Sequence, residues 1–170
     1  MKSLASKKVC LYGLLTAAAL LFGYVEYLVP LNFIAPGIKL GISNGVVLLL
    51  ILNNNYKSAF LVNICRIVLS AFLFATPFSL IFSLTAGIIS TLVMILLNRF
   101  KGFGVVGISA VGGAVHNLVQ IIVARLTVGR GVFFYMPYLL LAGVLAGAAV
   151  GVLVWLMLKK AAKIKFLKFN

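Results

Sequence analysis

Ionisable and amide side chains interrupt several otherwise apolar stretches of this sequence. A charged or strongly polar group inside a bilayer costs about 2.5–3.5 kcal/mol or more, so it faces the interior of a helix bundle or a water-filled cavity. Residues of this kind are therefore candidates for binding a small molecule. We select Glu26, Lys39, Asn44, Asn63, Arg66, His116, Asn117 and Gln120.

The chemistry available to these residues is recognition rather than catalysis. Lys39 and Arg66 are cations and Glu26 is the one acidic residue of the chain, which favours an anionic ligand or a head group bearing phosphate or carboxylate. With one histidine, no aspartate and two distant cysteines, the sequence predicts neither a metal site nor a bound cofactor. A membrane enzyme that uses His116 as a base is disfavoured, since no nucleophile or metal-ligand set accompanies it.

The same residues also have a purely structural interpretation. Glu26 would neutralise Lys39 or Arg66. His116 and Gln120 are four residues apart and share a helix face. There His116, Asn117 and Gln120 would form hydrogen bonds to neighbouring helices. Both interpretations stay open at the level of sequence.

The elements that position these residues are predicted to be membrane helices. The chain has 170 residues, 64% of them hydrophobic and 9% charged, and its mean hydropathy is +1.24. A soluble domain is about 45–50% apolar and about 25% charged. A water-soluble chain of this composition would expose large apolar patches and aggregate, so lipid is the solvent that fits.

Six apolar runs predict an all-α membrane protein, a bundle of six transmembrane helices in one integral membrane domain over residues 1–170. The runs are continuous and about 15–25 residues long, as helices require, rather than alternating segments of about 10 residues, as in barrel strands. The predicted spans are residues 9–29, 39–52, 57–75, 78–97, 105–128 and 132–158.

The distribution of the 15 lysines and arginines predicts the orientation. If the N-terminus is cytoplasmic, most of these cations flank the cytoplasmic ends of the spans, as the positive-inside rule requires. This places both termini in the cytoplasm and the chain in the cell membrane, with its cations against anionic lipid head groups. Nucleic acid is not a predicted partner, since no basic stripe is interleaved with aromatics. The cytoplasmic cations are Lys2, Lys7, Lys8, Lys57, Arg99, Lys101, Lys159, Lys160, Lys163, Lys165 and Lys168.

In this topology the selected polar residues lie between mid-depth and the extracytoplasmic side, whereas the cytoplasmic half of the spans is almost purely apolar. A continuous pore would need polar groups at both depths. The pattern therefore predicts a polar cavity that is open to the outside and sealed towards the cytoplasm.

Glycines recur every four residues in the sixth span, at Gly143, Gly147 and Gly151. Small residues at this spacing let two helices approach closely. Packing inside the bundle is the favoured interpretation, with docking to another membrane protein as the alternative. A homo-oligomer is compatible with the pattern and is not required by it.

Four segments resemble the Gx transporter family, which is also labelled heptaprenyl diphosphate synthase component I. They are Glu26 at the end of the first span, PGIKLGISN (Pro36–Asn44), NICRIVLS around Arg66, and GGAVHNLVQ (Gly112–Gln120). Their order and spacing carry the resemblance, which covers nearly the whole chain.

The resemblance implies a likeness to the S-components of energy-coupling factor (ECF) transporters. Those proteins have six helices, bind a vitamin near the outer face and use an energising module of one transmembrane subunit and two ATPases. A small-residue face on their first helix docks the transmembrane partner, and Gly13 and Ala17 match it here. The synthase label implies no catalysis by this chain, because prenyl-chain elongation uses aspartate-rich motifs and the chain has no aspartate.

We therefore predict a membrane substrate-binding or transport subunit, not an enzyme. Its ligand would be a small anionic or amphipathic metabolite from the outer side: vitamin-like, flavin-related, or an isoprenoid or quinone precursor. The alternative is a non-catalytic accessory or anchoring subunit of a prenyl diphosphate synthase or redox complex.

Overall fold

The computed structural model describes residues 2–28, 41–74, 77–100 and 102–164, and within these ranges the regular structure is helical. A short 3₁₀ helix, Arg130–Tyr135, precedes the last α-helix. The six α-helices are α1 (Lys2–Leu28), α2 (Ile42–Leu52), α3 (Tyr56–Leu73), α4 (Pro77–Arg99), α5 (Val105–Val128) and α6 (Met136–Ile164).

The all-helical fold predicted from the sequence is confirmed for the described residues, and five of the six α-helices are long and apolar enough to cross a bilayer. The exception is α2, which has 11 residues. At a rise of about 1.5 Å per residue it extends about 16 Å, roughly half the hydrocarbon core. The span predicted over 39–52 is therefore shorter than expected in the part that the structure describes.

The sixth predicted span, 132–158, lies within an apolar segment of membrane-spanning length, Gly131–Lys160, although the first residues of that segment are not α-helical. The chain forms the 3₁₀ helix up to Tyr135, and α6 begins at Met136. Pro137 explains this shift, because proline has no N–H to donate to the preceding turn and is tolerated only in the first turn of an α-helix.

The central element of the bundle is α2. It packs against each of the other five α-helices, and seven of its residues are buried. Val47 and Ile51 of α2 are fully buried and pack with Ala59 of α3 and Val150 of α6 in the main apolar core. This core occupies the half of the bundle that contains the C-terminal end of α2.

Asparagines terminate α2. The side chain of Asn53 donates to Leu49 O at 2.8 Å, and that of Asn98, on α4, donates to Ile51 O at 3.1 Å. Asn54 adopts a positive φ of 59° in the turn that leads into α3. The last turn of α2 is thus capped by Asn53 from within the chain segment that leaves it and by Asn98 from α4.

The glycine pattern of α6 packs inside the bundle, against α5. A Cβ added at Gly143 would lie 2.6 Å from Gly113 O, and one added at Gly147 would lie 2.5 Å from Ser109 O. The two backbones are therefore in direct contact, which only glycine permits at these positions.

Candidate functional site

A cavity of about 380 Å³ lies between the helices, and side chains from all six α-helices or their caps line it. We call it the polar cavity. It lies at the C-terminal ends of α1 and α3 and the N-terminal ends of α2 and α4. The buried apolar core fills the opposite half of the bundle. The polar members of its lining include Glu26, Ser43, Asn44, Arg66, Ser70, Ser79, Ser83, His116 and Asn117.

Arg66 is the cation of this site, and neutral oxygen atoms hold it in place. Its Nε donates to Asn63 Oδ1 at 3.0 Å, its Nη1 donates to Ser43 Oγ at 2.9 Å, and its Nη2 donates to Asn44 Oδ1. A guanidinium has five N–H groups. Among the residues that the structure describes, these three are its acceptors, which leaves two N–H groups of a side chain that lines the cavity without one.

Asn63 orients Arg66 without lining the cavity itself. It is 1% exposed, and its Nδ2 donates to Gly87 O at 3.0 Å and to Thr91 Oγ1 at 2.9 Å, both on α4. These bonds leave Asn63 Oδ1 to accept from Arg66. At Gly87 the two helices lie close together, and a Cβ there would require the end of the Ile67 side chain, 2.5 Å away, to shift.

Glu26 lies at the N-terminal end of α2. Its Oε1 accepts a hydrogen bond from the backbone N–H of Ser43 at 2.9 Å. The backbone N–H groups of Gly41 and Ile42 also stabilise the carboxylate. The first N–H groups of a helix have no partner within the helix and carry partial positive charge. Glu26 therefore caps α2 from another helix, and it also attracts Arg66 electrostatically.

Ser43 connects the two charged residues. Its N–H binds Glu26 and its hydroxyl accepts from Arg66, while its side chain is 4% exposed. The cap residue Gly41 has a left-handed backbone with φ of 71°, which an L side chain rarely adopts. The GIS sequence at the start of α2 thus positions both charges at one edge of the cavity.

On the opposite wall, His116 and Asn117 are both buried and both line the cavity. The Nδ2 of Asn117 donates to Leu139 O of α6 at 2.7 Å. This hydrogen bond links α5 to α6, as expected if Asn117 serves to hold neighbouring helices together. Its position in the lining still allows the side-chain oxygen to contact a ligand.

The eight residues selected from the sequence divide into three groups. Glu26, Asn44, Arg66, His116 and Asn117 line the polar cavity, whereas Asn63 and Gln120 do not. Lys39 lies outside the described residues. Gly13 and Ala17, the expected docking residues, are exposed on α1, and a Cβ at Gly13 would meet nothing within 4 Å in the described part of the chain.

Sequence reasoning missed the serines of the cavity. Ser79 and Ser83 are four residues apart on α4 and both line it, as do Ser43 and Ser70. The spacing of Ser79 and Ser83 is a signal that could have found them, since residues four apart share a helix face. A serine is only weakly polar on hydropathy scales, so it does not interrupt an apolar run visibly.

Aromatic rings lie near the ends of α1 and α3. Phe74 lines the cavity together with Tyr27, and their ring centroids are 5.9 Å apart. Tyr24 meets the same Phe74 ring edge-on at 5.6 Å. The cavity therefore combines a charged edge with an aromatic margin, a combination suited to an amphipathic ligand.

Recognition is the chemistry that this arrangement supports. Within the described ranges, no group of three or more His, Cys, Asp or Glu side chains comes together that could hold a metal ion. Arg66 has two N–H groups beyond its three hydrogen bonds, and charged N–H donors suit a carboxylate or phosphate. The imidazole of His116 and the amides of Asn44 and Asn117 place further polar groups along the walls.

The sequence matches one family model, described as Heptaprenyl diphosphate synthase component I, over residues 15–157. This range covers the lining of the polar cavity in full. No curated protein matches the chain, and no solved structure matches it.

Proposed function

We propose that this chain, which belongs to the heptaprenyl diphosphate synthase component I family, is a membrane subunit that binds a small anionic or amphipathic metabolite in the polar cavity. The observation that carries the proposal is Arg66, a half-buried cation that lines the cavity and whose remaining N–H groups are available to a ligand. The cavity volume of about 380 Å³ falls in the range of small-molecule pockets, about 300–1,000 Å³. Vitamin-like, flavin-related, isoprenoid and quinone-precursor compounds are the candidate ligands.

The topology we propose has six spans in one domain, with both termini cytoplasmic in the cell membrane. It places the end of α1 that bears Glu26 on the extracytoplasmic side, so a ligand would enter from outside. Residues such as Val47, Ile51 and Val150 pack the cytoplasmic half and support a seal on that side. This is the arrangement of an S-component-like substrate-binding subunit.

A binding screen with purified protein in nanodiscs tests the proposal. Flavins, vitamins and prenyl diphosphates are scored by thermal shift, and hits are titrated. Replacing Arg66 by Gln removes charge-assisted hydrogen bonds of about 1.5–3 kcal/mol, so we expect affinity for a hit to fall about 10- to 100-fold. Arg66→Lys, which keeps the charge and loses the fork, should weaken binding less.

The matched control is Arg125→Gln. Arg125 is exposed on α5 and packs over the Phe133 ring at 4.8 Å, away from the cavity. Its loss should leave affinity unchanged. Binding that survives intact in Arg66→Gln would remove Arg66 from the site and contradict the proposal.

A second candidate function follows from the family description: a non-catalytic accessory subunit of a prenyl diphosphate synthase or redox complex. The chain is not the catalytic subunit, since it has no aspartate with which to hold magnesium and a diphosphate. The observation that favours a protein partner is α1, where only 6% of the membrane window is buried.

Both a synthase subunit and an ECF-type energising module are candidate partners for α1. The exposed Gly13 and Ala17 offer a surface that a partner helix can approach closely. Affinity purification from native membranes identifies which of these two partners binds, and the Gly13→Leu variant tests whether the partner binds through this surface. A soluble prenyltransferase in the eluate supports the accessory function, and a membrane subunit with ATPases supports the transport function.

A further inference from the structure

The carboxylate of Glu26 lies where an external anion would be most favoured. It binds the backbone N–H groups at the start of α2, one of them at 2.9 Å. Helix N-termini and left-handed glycine turns present N–H groups to negative charge. Glu26 therefore fills, from inside the chain, a position that a ligand carboxylate or phosphate could take.

Arg66 is placed without help from this carboxylate. Its three hydrogen bonds go to Ser43, Asn44 and Asn63, and among the described residues none joins it to Glu26. A guanidinium commonly binds a carboxylate through two parallel bonds. Here each guanidinium nitrogen donates to a neutral oxygen instead, although the two opposite charges attract each other.

The helix that carries Glu26 is the least enclosed of the long helices. Buried residues make up 6% of its membrane window, compared with 28–39% in the other four. In the part of the chain that the structure describes, α1 packs only on α2 and α3. Near its C-terminal end it is attached by the Glu26 cap and by the rings of Tyr24 and Tyr27 against Phe74.

We infer that Glu26 is a displaceable internal counter-ion, and that an anionic ligand takes its place beside Arg66 and the α2 N-terminus and thereby releases the C-terminal end of α1. The inference rests on the proposed ligand-binding function and adds a mechanism to it. Exchange of one negative charge for another leaves Arg66 compensated both before and after binding. An empty site with an uncompensated buried cation would be strongly unfavourable.

A consequence of this exchange is that the position of α1, at the surface of the bundle, depends on whether a ligand fills the cavity. When the Glu26 carboxylate leaves α2, α1 keeps only its apolar and aromatic contacts at that end. The exposed Gly13 and Ala17 lie on the same continuous helix. A partner that docks on α1 would therefore sense whether the cavity is filled.

Titration with hexanoate tests the exchange, because this probe carries the same carboxylate on a short apolar chain. Wild type and Glu26→Gln are compared by ligand-observed NMR in nanodiscs, with hexanamide as the neutral probe. We expect Glu26→Gln, which has no competing charge, to bind hexanoate at least about tenfold more tightly, a factor that corresponds to about 1.4 kcal/mol. Hexanamide should show no comparable gain.

Spin-label distances report the release of α1. Labels at Leu21→Cys and Leu126→Cys, both on exposed sites, are placed in a Cys10→Ser/Cys65→Ser background. Hexanoate should shift the distance in wild type, and Glu26→Gln should show the shifted distance without ligand. This readout does not depend on affinity.

Equal or weaker hexanoate binding by Glu26→Gln overturns the inference, as does an unchanged distance in that variant. Absence of hexanoate binding to both proteins also overturns it. None of these results decides the proposed function, which depends on the separate screen and on Arg66→Gln.

Discussion

Asn63 has no direct access to the polar cavity, and yet its side chain orients the guanidinium that does. Its amide nitrogen is engaged by Gly87 and Thr91 of α4, so only its oxygen is left for Arg66. The sequence placed Asn63 and Arg66 one turn apart and grouped both as ligand contacts. The distinction between contacting a ligand and orienting a contact depends on α4, which a local pattern does not reveal.

Replacing Asn63 by Ala should therefore weaken ligand binding through Arg66. The change leaves the Arg66 Nε–H without its acceptor, and an unsatisfied buried donor costs about 1–3 kcal/mol. We expect a loss of stability of that size in thermal unfolding and, in the titration of a screened ligand, a lower affinity.

Asn98→Ala is the control for this prediction. Asn98 is also a hydrogen-bonded asparagine between helices, donating to Ile51 O and Tyr56 Oη, but it lies at the opposite end of the bundle. The Asn98→Ala variant should be less stable than wild type and should bind the screened ligand with unchanged affinity. If both variants bind the ligand as wild type does, Asn63 has no role in orienting Arg66.

At the scale of elements, the contact between α5 and α6 is the closest in the bundle. Gly143 and Gly113 bring the two backbones together, and Asn117 adds a hydrogen bond to Leu139 O across the same contact. Because His116 adjoins Asn117, this contact also sets the position of one wall of the cavity.

Gly143→Ala should separate these two helices. The added Cβ would lie 2.6 Å from Gly113 O and 2.8 Å from Asn117 Nδ2, and overpacking of this kind costs about 1–3 kcal/mol. Gly13→Ala is the matched control, because its Cβ meets nothing within 4 Å and alanine is favoured over glycine in helices by about 0.5–1 kcal/mol. A stability for Gly143→Ala equal to or above that of Gly13→Ala would contradict the close contact.

The elements differ in how far the sequence predicts them. The long helices α3, α4 and α5 agree with the predicted spans to within a few residues, since each is a continuous apolar run between polar segments. The short helix α2 was harder to predict, because an apolar run of 11 residues is equally consistent with a buried core helix and with part of a span. Its role as the central helix arises from packing with all its neighbours.

At the scale of the whole molecule, the separation of a polar half from an apolar half is visible in the sequence and in the structure. Five of the eight selected residues line one cavity, because buried polar groups in a membrane bundle gather where they can satisfy one another. The bridging role of Ser43 and the cap formed by Glu26 were not predictable. Both depend on how α1 meets the beginning of α2, a contact between segments that are 17 residues apart.

The central claim is a ligand-accessible cavity that opens on one side of the membrane and is sealed on the other. Cysteine accessibility in intact cells tests it most directly, in a Cys10→Ser/Cys65→Ser background. Ser70→Cys lines the cavity on α3, Ala59→Cys lies in the buried core of the same helix, and Lys57→Cys lies at its predicted cytoplasmic end.

A membrane-impermeant thiol reagent added outside should label Ser70→Cys, leave Ala59→Cys unlabelled, and reach Lys57→Cys only after the cells are permeabilised. A ligand from the screen should protect Ser70→Cys. A cavity that opens only to the outside is contradicted if Ser70→Cys is labelled only from the cytoplasmic side, or if Ala59→Cys is labelled as readily as Ser70→Cys.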